Sequence, residues 1–394
     1  MRLRSRRIVC PGATRDGEVV IRGGGISWVG SASSAASLSD DEVIDLGDHW
    51  LVPGYIDPHV HGGGGAQCNT SDAQEIATVA RFHARHGTTG LVATTVAAPI
   101  EELEAALDAI ARCKAPTLLG VHLEGPFLSR KRPGAMDPEV FIEPDVERLG
   151  RLVQAGAGQV RVMTLAPELP GSLELIELLV REDIVASIGH TDATEVEVRA
   201  AVDAGACAAT HVFNAMAPFH HREPGAVGAV MDLPGVSCEL ICDGVHVDPV
   251  AMRLLAAAKG VSGIRLVTDA MSAAGMPDGE YRLGGRPVSV VDGRAVLAGG
   301  ESIAGSTLTM EEAVQNAVRL LGVTVEEAIV MASANSARLL GMEGRKGEIS
   351  AGSDADLVVL DDRLAVQATM VAGEWVFGAP QESCFTSTRP RIRR

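Results

Sequence analysis

The chain has 394 residues, 46% of them hydrophobic, enough to bury a large core and to argue against global disorder. A formal charge of −17 sets it against nucleic acid and anionic membranes, so an anionic ligand would need a local cationic pocket. The seven cysteines are scattered without a CxxC pair, which excludes the usual thiolate zinc site and gives no disulfide framework. The basic start, RLRSRR, is not followed by an apolar secretory segment, and no run nears about 18 apolar residues. A cytoplasmic protein is expected.

From Arg4 to about Val52 the text reads as short strands with glycine turns. Eight apolar runs follow, at residues 51–61, 88–95, 117–124, 160–166, 184–190, 208–213, 236–243 and 264–269. The four glycines after the first run, Gly62 to Gly65, read as a flexible loop. Helix-like segments separate most of the runs: residues 72–86, 101–113, 173–181 and 194–204 among them. The last can be capped by Thr194, with Glu195 and Glu197 at the positive end of its dipole. Residues 281–298 read as an inserted β-hairpin, and 309–321 and 325–340 as helices. Residues 347–377 return to the texture of the beginning.

Buried parallel strands read as near-continuous Val, Ile and Leu, as these runs do. Eight strand–helix units match an α/β chain folded as a (β/α)8 TIM-like barrel. An open doubly wound sheet would call for a glycine fingerprint opening a helix, which is missing. Both termini are expected to meet in a small β-sandwich, residues 1–52 with 344–380. The barrel then takes residues 53–343, and 381–394 form a polar tail.

Nearly every run ends in a metal-competent or proton-transferring side chain: His59 and His61, His122 and Glu124, His190, His211 with Asn214, Asp243 with His246, and Asp269. In a barrel these ends converge on one mouth, where barrel enzymes keep their catalysis. His-x-His on a strand puts both rings on one face. With Glu124, His190 and His211 they form a mixed N and O donor set that suits zinc or iron and does not choose between them. None of the four lysines (Lys114, Lys131, Lys259, Lys346) ends a run, which leaves Glu124 as the bridging carboxylate. Asp269 is placed to take a proton from activated water and deliver it to a leaving group. After the sixth run, Asn214 and the backbone of Ala215 could cradle an anion, with Arg222 as a fork. His220 and His221 read as solvated loop residues before they read as ligands.

The words HLEGPF, GHTDA, THVFNAM, HHREPG, CDGVHV, LVTDAM and IAGSTLTM resemble the N-acetylglucosamine-6-phosphate deacetylase family of the amidohydrolase superfamily. The resemblance runs from LVPGYIDPHVHG to KGEISAGSDADLVVLD, nearly the whole chain. It implies hydrolysis of the acetamide of N-acetylglucosamine 6-phosphate by metal-bound hydroxide, with Asp269 as general base and then acid. Glu124, His190 and His211 fall on the shared metal ligands, with zinc ahead of iron. His59 and His61 match a pair that only some members keep, so one or two ions are implied.

Asn214, Ala215, Arg222, His246 and the stretch Ile303, Ala304, Gly305, Ser306 fall on substrate positions, with His246 also a candidate to stabilise the oxyanion. Arg222 is expected to reach the phosphate across a homodimer interface. Ala135 and Met136 stand where some members have an Ala-His pair, and Met136 offers only apolar contact. The alternatives are a galactosamine-epimer deacetylase, another amidohydrolase, or a silent sugar-phosphate-binding barrel.

Overall fold

The computed structural model describes residues 1–35 and 43–379. The expected polar tail, residues 381–394, lies outside them.

Eight parallel strands form one ring: β1 (Tyr55–Val60), β2 (Thr88–Thr95), β3 (Leu118–Glu124), β4 (Val160–Leu165), β5 (Val185–Ile188), β6 (Ala208–Ala209), β7 (Ser237–Ile241) and β8 (Ile264–Val267). Each pairs with its sequence neighbour. A parallel bridge between Val60 and Ala270 joins the last strand to the first. There the Asp269 N–H donates to His59 O and the His61 N–H to Ala270 O, both at 2.9 Å. The strands are buried on both faces, as their unbroken apolar text requires.

The helices between them bury one stripe each. In Ile100–Arg112 that stripe is Leu103, Ala106, Leu107 and Ile110, at helical spacing. Helix Glu195–Asp203 starts where expected, because Thr194 and Glu197 form a capping box.

The run 51–61 divides. Trp50–Pro53 pairs with the terminal strands, and only Tyr55–Val60 enters the barrel. Gly54 sits at the division, where a Cβ would lie 2.0 Å from Thr89 Oγ1. We expect Gly54→Ala to destabilise the fold by about 1–3 kcal/mol, the usual cost of overpacking. Chemical denaturation of the two proteins checks it, and equal midpoints would refute it.

Gly62 to Gly65 do not form a flexible loop. Gly62–Gly63 and Ala66–Gln67 pair as a tight hairpin, with φ of +61° at Gly64 and +86° at Gly65. Its amides are fixed onto the carbonyls of Ala270, Ser272 and Ala274. Two positive φ values in succession suit glycine, so the run is a turn requirement.

The insert after β8 has three antiparallel strands instead of two: Gly279–Leu283, Arg286–Val291 and Arg294–Leu297. The helix expected over 325–340 breaks at Ser333 into Val325–Ala332 and Ala334–Leu339. The terminal strands meet in one hydrogen-bonded sheet of eight strands. It surrounds its own core of Leu3, Ile8, Ile26, Leu51, Val359 and Met370, among others.

Candidate active site

The strand ends gather six titratable side chains over the barrel axis. Glu124 closes β3, while His190 and His211 stand just beyond β5 and β6. Their ligating atoms form one group: Glu124 Oε1 lies 3.0 Å from His190 Nε2 and 2.9 Å from His211 Nε2. Across the same centre, His61 Nε2 lies 3.2 Å from Glu124 Oε2 and 3.1 Å from Asp269 Oδ1. His59 Nε2 stands 3.1 Å from His61 Nε2 and 3.5 Å from Asp269 Oδ1. Glu124 thus faces two histidines with one oxygen and a third with the other.

The outer ring nitrogens of His190 and His61 are held, while His211 Nδ1 is buried without a hydrogen-bond partner. His190 Nδ1 donates to Arg132 O at 3.0 Å and His61 Nδ1 to Thr94 O at 3.1 Å. An N–H spent on a carbonyl leaves the Nε2 of a neutral ring as a lone pair. Yet His190 Nε2 and His211 Nε2 face each other at 3.2 Å, as do the Nε2 atoms of His59 and His61 at 3.1 Å. His59 and His61, neutral and with Nδ1 engaged by Glu239 and Thr94 O, would face each other as two acceptors, which repel unless positive charge lies between them. The donor set therefore fits a divalent cation, with imidazole nitrogen and carboxylate oxygen converging in a buried, anionic centre.

The electrostatics agree. Burial pulls His61 down, but hydrogen bonds and charge from Asp269 and Glu124 outweigh it and lift the ring to about 9. For Glu124, burial acts upward and is overcome by the surrounding histidines, so the carboxyl falls well below its ordinary range. Asp269 is lowered by the same opposition of burial against His59 and His61. The pocket stabilises negative groups and wants a cation.

His190, His211 and Asp269 all adopt left-handed backbone, with φ of 47°, 26° and 50°. Such conformations cost side chains other than glycine about 1–3 kcal/mol each, and structures keep them chiefly at functional sites. Here the turn off each strand end rotates the side chain inward over the axis.

His122 is different. Its Nδ1 donates to Pro58 O at 3.1 Å and its Nε2 accepts from Thr164 Oγ1 at 2.7 Å, so both nitrogens are used below the centre. Burial holds it down at about 3, a neutral supporting ring. Three further buried groups escaped the sequence reading. Asp57 accepts from Thr268 Oγ1 at 2.6 Å, and Glu239 lies under His59 with Arg265 beside it. The signal for them was a charge inside an apolar strand, as in CELIC and IRLV.

Above the centre is a cavity of about 270 Å³. Asn214, Ala215 and His246 line one side, and Ala135, Met136 and Ile303 with Gly305 line others. His246 is held by Nδ1 donating to Asp243 Oδ2 at 2.6 Å. Ala304 is fully buried, and Ser306 turns away to donate to Thr268 O and line an adjoining cavity. Arg222 is exposed, donates to His221 Nε2 at 2.8 Å, and does not line the cavity of its own chain. His220 and His221 are exposed as well. Among the described residues no helix is long and apolar enough to cross a membrane.

The amidohydrolase family matches residues 50–376. The N-acetylglucosamine-6-phosphate deacetylase of Bacillus subtilis (strain 168) is 38% identical over 92% of this chain and 93% of its own length. The N-acetylgalactosamine-6-phosphate deacetylase of Escherichia coli O157:H7 is 40% identical over 94% of this chain and 98% of its own. A solved structure of a Mycobacterium smegmatis N-acetyl-D-glucosamine-6-phosphate deacetylase variant, in complex with N-acetyl-D-glucosamine-6-phosphate, superposes with a TM-score of 0.91. It is 41% identical over 95% of this chain and 99% of the other.

Proposed function

This chain belongs to the amidohydrolase family, among its N-acetylglucosamine-6-phosphate deacetylases, and we propose that it hydrolyses N-acetylglucosamine 6-phosphate to glucosamine 6-phosphate and acetate. The observation that carries the reading is the convergence of Glu124, His190, His211 and Asp269 beneath a cavity with a polar wall.

Glu124, His190 and His211 would hold one divalent ion, and His59 with His61 a second. Zinc is put ahead of iron by the family resemblance, since this donor set suits both. Bound there, the ion supplies Lewis acidity and lowers the pKa of a coordinated water towards about 7. Asp269 receives a proton from the attacking water and passes it to the amide nitrogen as the C–N bond breaks. An amine leaves poorly without that proton. His246, steadied by Asp243, donates to the carbonyl oxygen or to a sugar hydroxyl. Asn214 and the Ala215 N–H bind the polar end of the substrate, and Met136 closes the cavity with apolar contact only. Ile303 and Gly305 complete the wall.

Arg222 would meet the phosphate in the site of a second copy, within a cytoplasmic homodimer. Its exposure and its absence from the lining of its own cavity support this arrangement. We expect Arg222→Ala to raise KM for the phosphorylated sugar while kcat changes little, since it removes binding felt equally before and during reaction. A variant with normal KM would remove Arg222 from the phosphate site.

The galacto epimer is a second substrate worth equal testing, because the E. coli relative is as similar as the gluco enzymes. The test is acetate release from each epimeric N-acetylhexosamine 6-phosphate, before and after treatment with chelator, alongside elemental analysis. A metal-replete protein that releases no acetate from either would reject the proposal.

A further inference from the structure

Below the centre lies a charge that the proposed reaction leaves unused. Glu239 is fully buried in the middle of β7, flanked by buried Cys238 and Leu240. A carboxylate there is costly unless it is paired and hydrogen-bonded. It has three donors from three different strands or strand ends. His59 Nδ1 lies 2.9 Å from Oε2, the backbone N–H of His211 lies 3.1 Å from the same oxygen, and Arg265 Nη2 lies 3.5 Å from Oε1. Arg265 is fully buried and occupies the paired position on β8.

An ionised carboxylate only accepts, so a neutral His59 must carry its proton on Nδ1. The other nitrogen, Nε2, is then a lone pair. It points to the space shared with His61 Nε2, Asp269 Oδ1 and Glu124 Oε1, at 3.1, 3.5 and 3.7 Å. His122 packs edge-on against the ring, centroids 4.6 Å apart, and stops it from turning away. The oxygen that fixes His59 also fixes the left-handed turn at His211, so one atom ties together the two sides of the centre.

We propose that Glu239, braced by Arg265, is the positioning residue that makes His59 a metal ligand and so completes a second cation site beside that of Glu124, His190 and His211. The inference rests on the metal-dependent reading above, but ion binding is measured without substrate, so the two can fail separately. The rival account is an ion pair that merely neutralises Arg265.

The experiment titrates chelator-stripped protein with Zn²⁺ by calorimetry, and measures zinc per chain after dialysis. The unaltered protein should take two equivalents. In Glu239→Gln one oxygen acceptor becomes a donor, and the affinity for one equivalent should fall about 10- to 100-fold, the usual effect of losing a residue that orients a ligand. The other equivalent should persist. Glu239→Asp keeps the charge beside Arg265 but draws the oxygens back by one methylene. A neutralising role would be served by it, whereas a positioning role predicts the same weakened equivalent. Co²⁺-loaded samples report the change independently, through the absorption of the altered coordination sphere. Two equivalents of unchanged affinity in either folded variant would overturn the proposal. So would a single equivalent in the unaltered protein, whatever its deacetylase activity.

Discussion

Replacing Asp269 by asparagine is expected to lower kcat at least about 10²-fold, the lower end for loss of a general acid–base group. The expectation is chemical. Asparagine has the same shape and is, with aspartate, among the residues best tolerated in left-handed backbone, the conformation with φ of 50° that Asp269 adopts. The fold should therefore survive, and thermal denaturation of the variant will verify that it does. What asparagine lacks is a site to take up a proton 3.1 Å from His61, at the edge of the cavity. KM should move little, because the interaction is made as the proton transfers. Metal content must be measured beside the rates, since Asp269 also contributes negative charge to the centre. Near-normal turnover in a metal-replete variant would remove Asp269 from the proton pathway.

The second large effect is expected from Glu124→Gln. This carboxylate faces both halves of the centre directly, within 3.0 Å of His190 and 3.2 Å of His61. Glutamine preserves the volume but removes the charge that offsets a dication. Loss of a residue that only orients a ligand costs about 10- to 100-fold in metal affinity, and loss of a ligand should exceed the upper figure. Dialysed Glu124→Gln should hold little metal and show at least about 10²-fold less activity, partly restored by excess Zn²⁺. Full metal occupancy with full activity would show that the ion sits elsewhere.

Much of this was legible in the chain because parallel strands buried on both faces leave unbroken apolar text, with function collected at their ends. The runs that carry Glu124, His190, His211 and Asp269 at or near their ends could be placed by that rule alone. The rule says nothing of which sheet a run joins, so the switch at Gly54, packed closely on Thr89, was invisible. It also directs attention to strand ends. Glu239 and Arg265 sit in mid-strand, where a charge reads as an exception until its partner on the neighbouring strand is seen.

The glycines at 62–65 suggest a flexible loop in the sequence because the text shows that a glycine is present and not that φ is positive. The left-handed turns at His190, His211 and Asp269 had no glycine to announce them, and only tertiary packing holds them. Arg222 shows another limit: a residue whose expected partner is on a second copy looks idle in a single chain.

The bridge between Val60 and Ala270 has a consequence for biogenesis. The backbone groups that zip the ring shut belong to His59, His61, Asp269 and Ala270, so the seam between first and last strands runs through the candidate site. About two hundred residues separate its two margins, and such distant contacts are slow to form and reward the chain late. A chain that lacks its eighth strand therefore holds His59 and His61 without the carboxylate of Asp269 beside them. Closure of the cylinder is a precondition for bringing these groups together.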